Sequence, residues 1–535
     1  MNSLPAAQAA FRPFRSVEEP LALLNDEILS ARSSGRLTLA VFFDIEKAYD
    51  TLCRSRVLVE LRRLGFRGFL PMFVRNFLRE RFFRVRVGGS LSRSFPQAEG
   101  VPQGCVLSVL CFSLVMNTVV SELPSSIHTS LYADDLAVYF SGRDPAVIER
   151  QIQLAVNSVA RWADSIGFRL SPAKTKAMAF FSGRSFRNPS LSLSLSGSPI
   201  SFVASARFLG LIFDRGHTWL PHIQHLRTRV QPPLTLLRYL SHRSWGADRF
   251  MLHRLYDARV QSILDFGCFV YSSATDARLR RLNSIQSEGL RLISGAFRST
   301  PVVSLQVECN VAPLSLRRSF LACKAYLRWA RLPDSQLGSS LLDPSPLRPS
   351  FLAQSVEPVF VGAPTPFPLP VSPVSLCSFP PWTLRPITVC RGMFVASKGS
   401  TLPSLSRALH AAHLPQHASS VAVYTDGSRG ADGCAASAFC PLLPDLSFGS
   451  PLLLLSPSFK AEFSAILRLL TPFHALAPAS FTIFCDCKGA LLSPESLFSA
   501  HPLVRRVQAL YHILYSLGVS VSFCWVPSHV GIPGN

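Results

Sequence analysis

Ten residues constrain this chain more than any others: Leu131 to Phe140, reading L-Y-A-D-D-L-A-V-Y-F. Two adjacent carboxylates, Asp134 and Asp135, lie between short runs rich in aromatic and branched side chains, Thr129 to Ala133 and Leu136 to Phe140. That is the pattern of a tight β-hairpin with both acids at its turn. Neighbouring carboxylates repel, and no basic residue between Leu131 and Phe140 neutralises them. A divalent cation would, and Mg²⁺ suits the role because it is held by one or two carboxylates plus substrate phosphates. Taken alone, the same residues are equally well a solvated Asp-Asp turn.

A third acid upstream separates the two readings. Leu39 to Asp50 (L-A-V-F-F-D-I-E-K-A-Y-D) begins as an unbroken apolar strand and turns charged at Asp44, which places that carboxylate at the end of a buried strand. Beside a carboxylate hairpin it makes the arrangement of a two-metal phosphoryl-transfer site, with ions about 4 Å apart. Further stretches follow in order: G-V-P-Q-G-C-V-L-S at Gly100 to Ser108, Y-A-D-D at Tyr132 to Asp135, G-F-R-L-S-P-A-K-T at Gly167 to Thr175, and F-L-G-L at Phe208 to Leu211. With F-D-I-E-K-A-Y-D at Phe43 to Asp50, they resemble the palm motifs of reverse transcriptases, in the style of jockey-like non-LTR retrotransposons.

The resemblance implies an α+β right-hand polymerase. Residues 1–215 would be a palm with partial fingers, and 216–335 a helical thumb or connection. Asp44, Asp134 and Asp135 would hold two Mg²⁺, with Mn²⁺ as a substitute, and deoxynucleoside triphosphates would extend a DNA primer on an RNA template. Tyr49 would sit under the sugar and collide with a 2′-hydroxyl; otherwise it is core packing. Gln103 and Gly104 would line the nucleotide pocket, where a glycine lets template and nucleotide approach the backbone closely. Lys174 matches the lysine near the pyrophosphate leaving group, and is equally one more surface cation. Gln8 to Ser16 resembles the fingers motif, but Ala10 and Phe14 stand where glycines are usual. The family's triphosphate-clamping basic residues would lie upstream of Met1 or be missing, so weak activity is expected. Cys105 and Val109 also depart from the family's serine and proline.

At 535 residues and 48% hydrophobic content, the chain can bury more than one core. Its 54 Lys and Arg against 32 Asp and Glu, a formal charge of +22, suggest a polyanionic partner, nucleic acid being the usual one. The 13 cysteines show no C-x-x-C pair, and so read as buried or idle thiols in a reducing compartment, with neither a zinc site nor a disulfide framework. Met1 to Phe11 lacks the basic cap and apolar core of a signal peptide, which points to an intracellular location, nucleus or cytoplasm. Val101 to Val120 is twenty residues without a charge, long enough to span a bilayer, but Pro102, Gln103, Gly104 and Asn117 interrupt it, and no membrane partner is expected.

Leu58, Leu61 and Leu64 predict a helix that stops at Gly65, and Asp144–Pro145 starts another whose Ile148, Ile152, Ala155, Val159, Trp162 and Ile166 share a face up to Gly167. Between them Arg75, Arg79, Arg81, Arg84 and Arg86 alternate with Phe73, Phe77, Phe82 and Phe83, a mixture that suits phosphates and stacked bases as well as a solvated face over a core stripe. Residues 336–418 are rich in proline and serine and read as a linker.

The last region, 419–535, carries a second set of acids. V-A-V-Y-T-D-G-S reads as a strand ending at Asp426 and a Gly-Ser turn, Ser458 as the cap of a helix bearing Glu462 and Ile466, and F-T-I-F-C-D-C as a strand ending at Asp486. With W-V-P-S-H-V-G-I-P-G-N at Trp525 to Asn535, these phrases resemble an α/β type-1 ribonuclease H domain. The resemblance implies metal binding by Asp426, Glu462 and Asp486, product release assisted by His529, and endonucleolytic cleavage of RNA in an RNA–DNA hybrid. Cys487 replaces the usual serine. The family's fourth carboxylate would follow Gly534 and Asn535, so cleavage is expected to be impaired. The alternative is a catalytically inactive retroelement remnant that keeps nucleic-acid binding. Neither the template nor the oligomeric state is legible.

Overall fold

In the computed structural model the chain divides into two compact units, Met1–Pro373 and Val374–Asn535. The structure describes residues 7–12, 14–181, 191–242 and 244–332 of the first. It also describes 337 there; in the second it describes 383–387, 389–392, 402–430, 433–452, 457–476, 479–497, 501–528 and 530–532, with 379 and 499 as single positions.

A five-stranded sheet organises the first unit, in the order Ser201–Phe202, Lys176–Phe180, Leu37–Phe43, Asp135–Gly142, His128–Tyr132. Leu37–Phe43 is buried at every position. Its side chains alternate, Ala40 and Phe42 entering one core and Leu37, Leu39, Val41 and Phe43 the other. Covering both faces is what makes an antiparallel strand read as an unbroken apolar run. One face is packed by helix Glu18–Ser33 and by the helices that follow residue 219; the other is packed by Val106–Met116 and Pro145–Ile166.

The long helix has the ends its sequence predicts. Asp144 accepts a hydrogen bond from the Ala146 N–H at 3.0 Å, Pro145 is its first residue, and Gly167 closes it with φ +85°. Helix Arg54–Arg63 likewise ends before Gly65 at φ +85°. The apolar stretch Val101–Val120 is not one span. A loop occupies its start, Val106–Met116 is helical, and a second short helix, Thr118–Glu122, follows Asn117. Among the described residues no helix is long and apolar enough to cross a membrane.

A hairpin of Ser205–Phe208 and Leu211–Asp214 leads out of the sheet. Its two turn residues, Leu209 at φ +46° and Gly210 at φ +90°, are both left-handed, which matches the twist of the flanking strands. The Asp214 carboxylate accepts the backbone N–H groups of Thr218 at 2.9 Å and Trp219 at 2.7 Å, fixing the entry to Leu220–Arg229. Helices then continue to Leu314–Ala330, and their buried Tyr256, Tyr271 and Trp329 join the core beneath the sheet.

The second unit holds a six-stranded sheet in the order Val389–Cys390, Ser520–Trp525, Ser480–Cys485, Val421–Arg429, Cys434–Phe439, Phe448–Leu452. The last three strands form an antiparallel meander, and the first three run parallel to Val421–Arg429. Helices Ser458–Leu470 and Pro502–Ser516 bury Phe463, Ile466, Val504 and Leu514 in its core.

Three local expectations are corrected here. Within 336–418, most of which lies outside the described residues, Val389–Cys390 is a sheet strand and Pro403–His413 a helix. Two strand residues are too few to show a period, but buried Ile387 and Val389 tie them to the core. The strand from Val421 does not turn at Gly427–Ser428 but continues to Arg429, because a glycine is needed inside it: a Cβ at 427 would lie 2.6 Å from the Glu462 nitrogen. Finally, Pro457 is the N-cap of the Ser458–Leu470 helix, without a side-chain cap bond, while Glu462 and Ile466 are both buried as expected.

Candidate active sites

Strand register brings the first three acids together. Phe43 pairs with Leu136, so Asp44 leaves its strand beside Asp135, and Tyr132 pairs with Asp135 across a two-residue turn of Ala133 and Asp134. Ala133 adopts φ +56°, the left-handed conformation such a turn requires. Burial, then the charges of Asp134 and Asp44, push the Asp135 carboxyl up to about 6. The repulsion inferred from the sequence is thus felt at Asp135 from both of its neighbours.

Two further motifs are held against this point by backbone bonds. Ser171 N–H donates to the Asp44 carbonyl at 3.0 Å and Glu46 N–H to the Arg169 carbonyl at 2.8 Å, so Gly167–Thr175 lies along the strand end. That contact sets Lys174 Nζ 3.6 Å from Asp44 Oδ2. The loop preceding Val106 is fixed in the same way, Gly100 N–H donating to Leu52 O and Val101 N–H to Tyr49 O, each at 2.9 Å. A Cβ on Gly100, at φ +76°, would lie 2.5 Å from the Asp50 carbonyl oxygen, whereas Gly104, at φ +90°, faces open space. Gln103 Nε2 donates to Asp50 Oδ1 at 3.2 Å. Asp50 is therefore a positioning residue that sequence reasoning missed; its place as the last residue of F-D-I-E-K-A-Y-D was the available signal.

Tyr49 lies between the two groups. Its ring stacks on Phe112 at 4.3 Å and 13°, and burial followed by the charge of Asp134 raises its phenol above the usual range. It therefore has both a packing contact and a position in the field of the acids. Gln8 to Ser16 runs beside the acidic hairpin, with Ala9 N–H donating to Leu131 O at 3.1 Å. Phe14, where the resemblance has a glycine, sits at φ +64°, in the region glycine favours. The Arg–Phe stretch forms helix Phe69–Leu78 and short strands. Phe82 and Phe83 are exposed, and the Arg81 guanidinium lies 4.6 Å from the Phe77 ring centroid.

In the second unit Asp426 lies on the central strand, Glu462 on the helix crossing it, and Asp486 just past the neighbouring strand. Glu462 is 3% exposed; its Oε1 accepts the Gly427 N–H at 2.7 Å, and its Oε2 accepts the Cys485 thiol at 3.4 Å. Burial, then Asp486, with a smaller push from Asp426, raise its carboxyl to about 8 against those two hydrogen bonds. Ligand atoms of Glu462, Cys485 and Asp486 lie within 4.8 Å of one another, a spacing that could hold a metal ion. His529, Gly534 and Asn535 lie outside the described residues.

Residues 1–213 match the family model described as reverse transcriptase (RNA-dependent DNA polymerase). This part of the chain is a reverse transcriptase domain. It is related to domains of non-LTR retrotransposons. The RNA-directed DNA polymerase from mobile element jockey of Drosophila melanogaster is 29% identical over 305 residues, 55% of this chain and 32% of that protein. The putative 115 kDa protein in type-1 retrotransposable element R1DM of the same organism is 28% identical over 325 residues, 60% and 31% respectively. The chain thus spans about a third of the length of these curated relatives. A solved telomerase from Candida tropicalis, in complex with the TWJ fragment of telomeric RNA, aligns with 63% of this chain and 52% of its own at 13% identity and a TM-score of 0.28.

Proposed function

We propose that the reverse transcriptase domain polymerises DNA on an RNA template for a non-LTR retrotransposon, in the nucleus or cytoplasm, with residues 1–215 as partial fingers and palm and 216–335 as a helical thumb or connection. The observation that carries this reading is the convergence of Asp44 and Asp135 on neighbouring strands, with Asp134 at the adjoining turn and Lys174 at 3.6 Å. Three converging carboxylates, two of which raise the proton affinity of Asp135, fit a hard divalent cation. Asp44, Asp134 and Asp135 would hold Mg²⁺, or Mn²⁺ in its place, and the bound metal would lower the pKa of a primer 3′-hydroxyl and neutralise charge on departing pyrophosphate. Tyr49 would exclude a 2′-hydroxyl by bulk, its ring held by Phe112. The half-buried Arg81 and the exposed Phe82 and Phe83 suit a nucleic-acid backbone and its bases.

In the second unit the reading is a ribonuclease H-like domain acting on RNA–DNA hybrid. It is supported by the three-stranded meander continued by three parallel strands, and by Glu462 and Asp486 brought within 4.8 Å where the Ser458–Leu470 helix crosses, with Asp426 near enough for its charge to act on Glu462 though outside that cluster. Primer extension by the purified chain tests the main reading: with Mg²⁺ and deoxynucleotides a primed RNA template should be extended, and chelation should stop it. Binding of the same template without any extension would instead favour an inactive remnant.

A further inference from the structure

Four side chains from three separated stretches meet on the edge of the second unit's sheet. Cys390 ends the Val389–Cys390 strand and pairs in register with Cys524 of Ser520–Trp525. His413 is the last residue of helix Pro403–His413, and His417 follows four positions later in the turn Leu414–His417. Cys390 Sγ is 3.3 Å from His413 Nε2, the two imidazole Nε2 atoms are 3.3 Å apart, and Cys524 Sγ is 3.5 Å from His417 Nε2. All four atoms lie within 4.8 Å of one another.

Those separations are the edges of a coordination tetrahedron. An ion bound at about 2.0–2.1 Å by nitrogen and about 2.3 Å by sulfur sets N···N edges of about 3.3 Å and N···S edges of about 3.5 Å. As hydrogen-bonded groups the same four are poorly served, because thiols are weak donors and acceptors and only one of two facing imidazole nitrogens can carry a proton. We propose that Cys390, His413, His417 and Cys524 form a structural Zn²⁺ site that fastens the Val389–Cys390 strand and the Pro403–His413 helix to the sheet. Two sulfurs and two imidazoles in a tetrahedron select Zn²⁺ over Mg²⁺, and four protein ligands leave no open position for a substrate.

The surroundings fit a held metal. Thr482 Oγ1 lies 3.4 Å from His417 Nδ1, the ring nitrogen facing away from the cluster, and is itself 2.6 Å from Ser420 Oγ. Such outer partners fix the orientation of a ligating ring. Gly392 packs on the other imidazole, where a Cβ would lie 2.9 Å from His413 Cε1. The proposal departs from the sequence expectation of cysteines without a zinc site. No C-x-x-C pair exists because one cysteine comes from each of two neighbouring strands, and Cys524 is 107 residues from His417. The H-x-x-x-H at His413 to His417 was the legible half of the site. Neither the polymerase nor the ribonuclease reading is needed for it.

The test is the metal content of the full chain, purified under reducing conditions without chelator. One zinc per chain is expected, and exchange for Co²⁺ should give the intense visible absorption and thiolate charge transfer of a tetrahedral S₂N₂ site. Cys390→Ser and His417→Ala should lose the metal and lower the unfolding temperature of the second unit, Thr482→Val should weaken zinc about tenfold, and Cys440→Ser should keep it. If the ligand variants fail to fold, the cobalt spectrum of the wild-type chain after chelation and reconstitution decides. Absence of both stoichiometric zinc and a cobalt spectrum would overturn the proposal. So would a Cys390–Cys524 disulfide in protein alkylated at lysis, or full zinc retention by a Cys390→Ser/Cys524→Ser variant.

Discussion

The two acidic clusters differ in what surrounds the same kind of charge. In the first unit Asp44, 42% exposed at its side chain, faces a lysine, and the Asp135 carboxyl is pushed only to about 6. In the second, Glu462 is 3% exposed, its close partners are a backbone N–H and a thiol, and its carboxyl is pushed to about 8. A hairpin tip and a strand end leave carboxylates in contact with water and open to a hard cation. A glutamate carried on a helix that crosses a strand loses that solvent and keeps its proton until something displaces it. Metal binding at the second site should therefore release a proton from Glu462.

The largest expected effect separates the clusters by activity. Asp44→Asn should reduce single-turnover primer extension about a thousandfold or more, since the charge stabilisation supplied by a metal site is worth several kcal/mol. Extension within tenfold of the parent would remove Asp44 from the site. Next come two glycines of one loop, compared by thermal or urea unfolding. Gly100→Ala should cost at least about 2 kcal/mol, combining a left-handed backbone with a clash on Asp50, whereas Gly104→Ala should cost about 1–2 kcal/mol from backbone strain alone. Equal costs would mean that the loop does not rest on Asp50.

Proton linkage sharpens the comparison further. Glu462 has its folded pKa raised from the usual 4.5 to about 8, so between those values the unfolded chain has released a proton that the folded chain keeps. Metal-free stability of the second unit should therefore fall as pH rises through that window, and Glu462→Gln should flatten the slope in calorimetric scans. Mg²⁺ affinity should run the other way, lost below about 6 at the first cluster and already weakened below about 8 at the second. A single common pH dependence would break the distinction. The smallest effect is expected at Tyr49. Tyr49→Ala should admit ribonucleotides while Tyr49→Phe should not, and an unchanged ratio of deoxy- to ribonucleotide incorporation would make the ring core packing on Phe112.

How much was legible follows from where the constraints lie. Asp44, Asp134 and Asp135 could be read because each sits at a boundary between an apolar run and a charge, and strand register then needs only a hairpin and one neighbour. The helix Pro145–Ile166 could be read because its cap, its period and its terminal glycine agree. What could not be read depends on partners distant in sequence. Gly427 looks like a turn until the crossing helix is present, and Cys390 and Cys524 look idle until the two strands pair. The raised carboxyl of Glu462 likewise comes from burial, with Asp486 and Asp426 adding their charges, none of which its helix alone reveals.

One reaction tests the central claim of two independent metal-binding clusters most directly: single-turnover extension of a DNA primer on RNA with Mg²⁺, with primer and template carrying distinguishable labels so that synthesis and RNA cleavage are read together. Asp134→Asn should abolish synthesis and leave cleavage of a preformed hybrid at the parent's level, while Glu462→Gln should leave synthesis intact and remove whatever cleavage the parent shows. Synthesis that survives Asp134→Asn, or is lost with Glu462→Gln, would contradict the account.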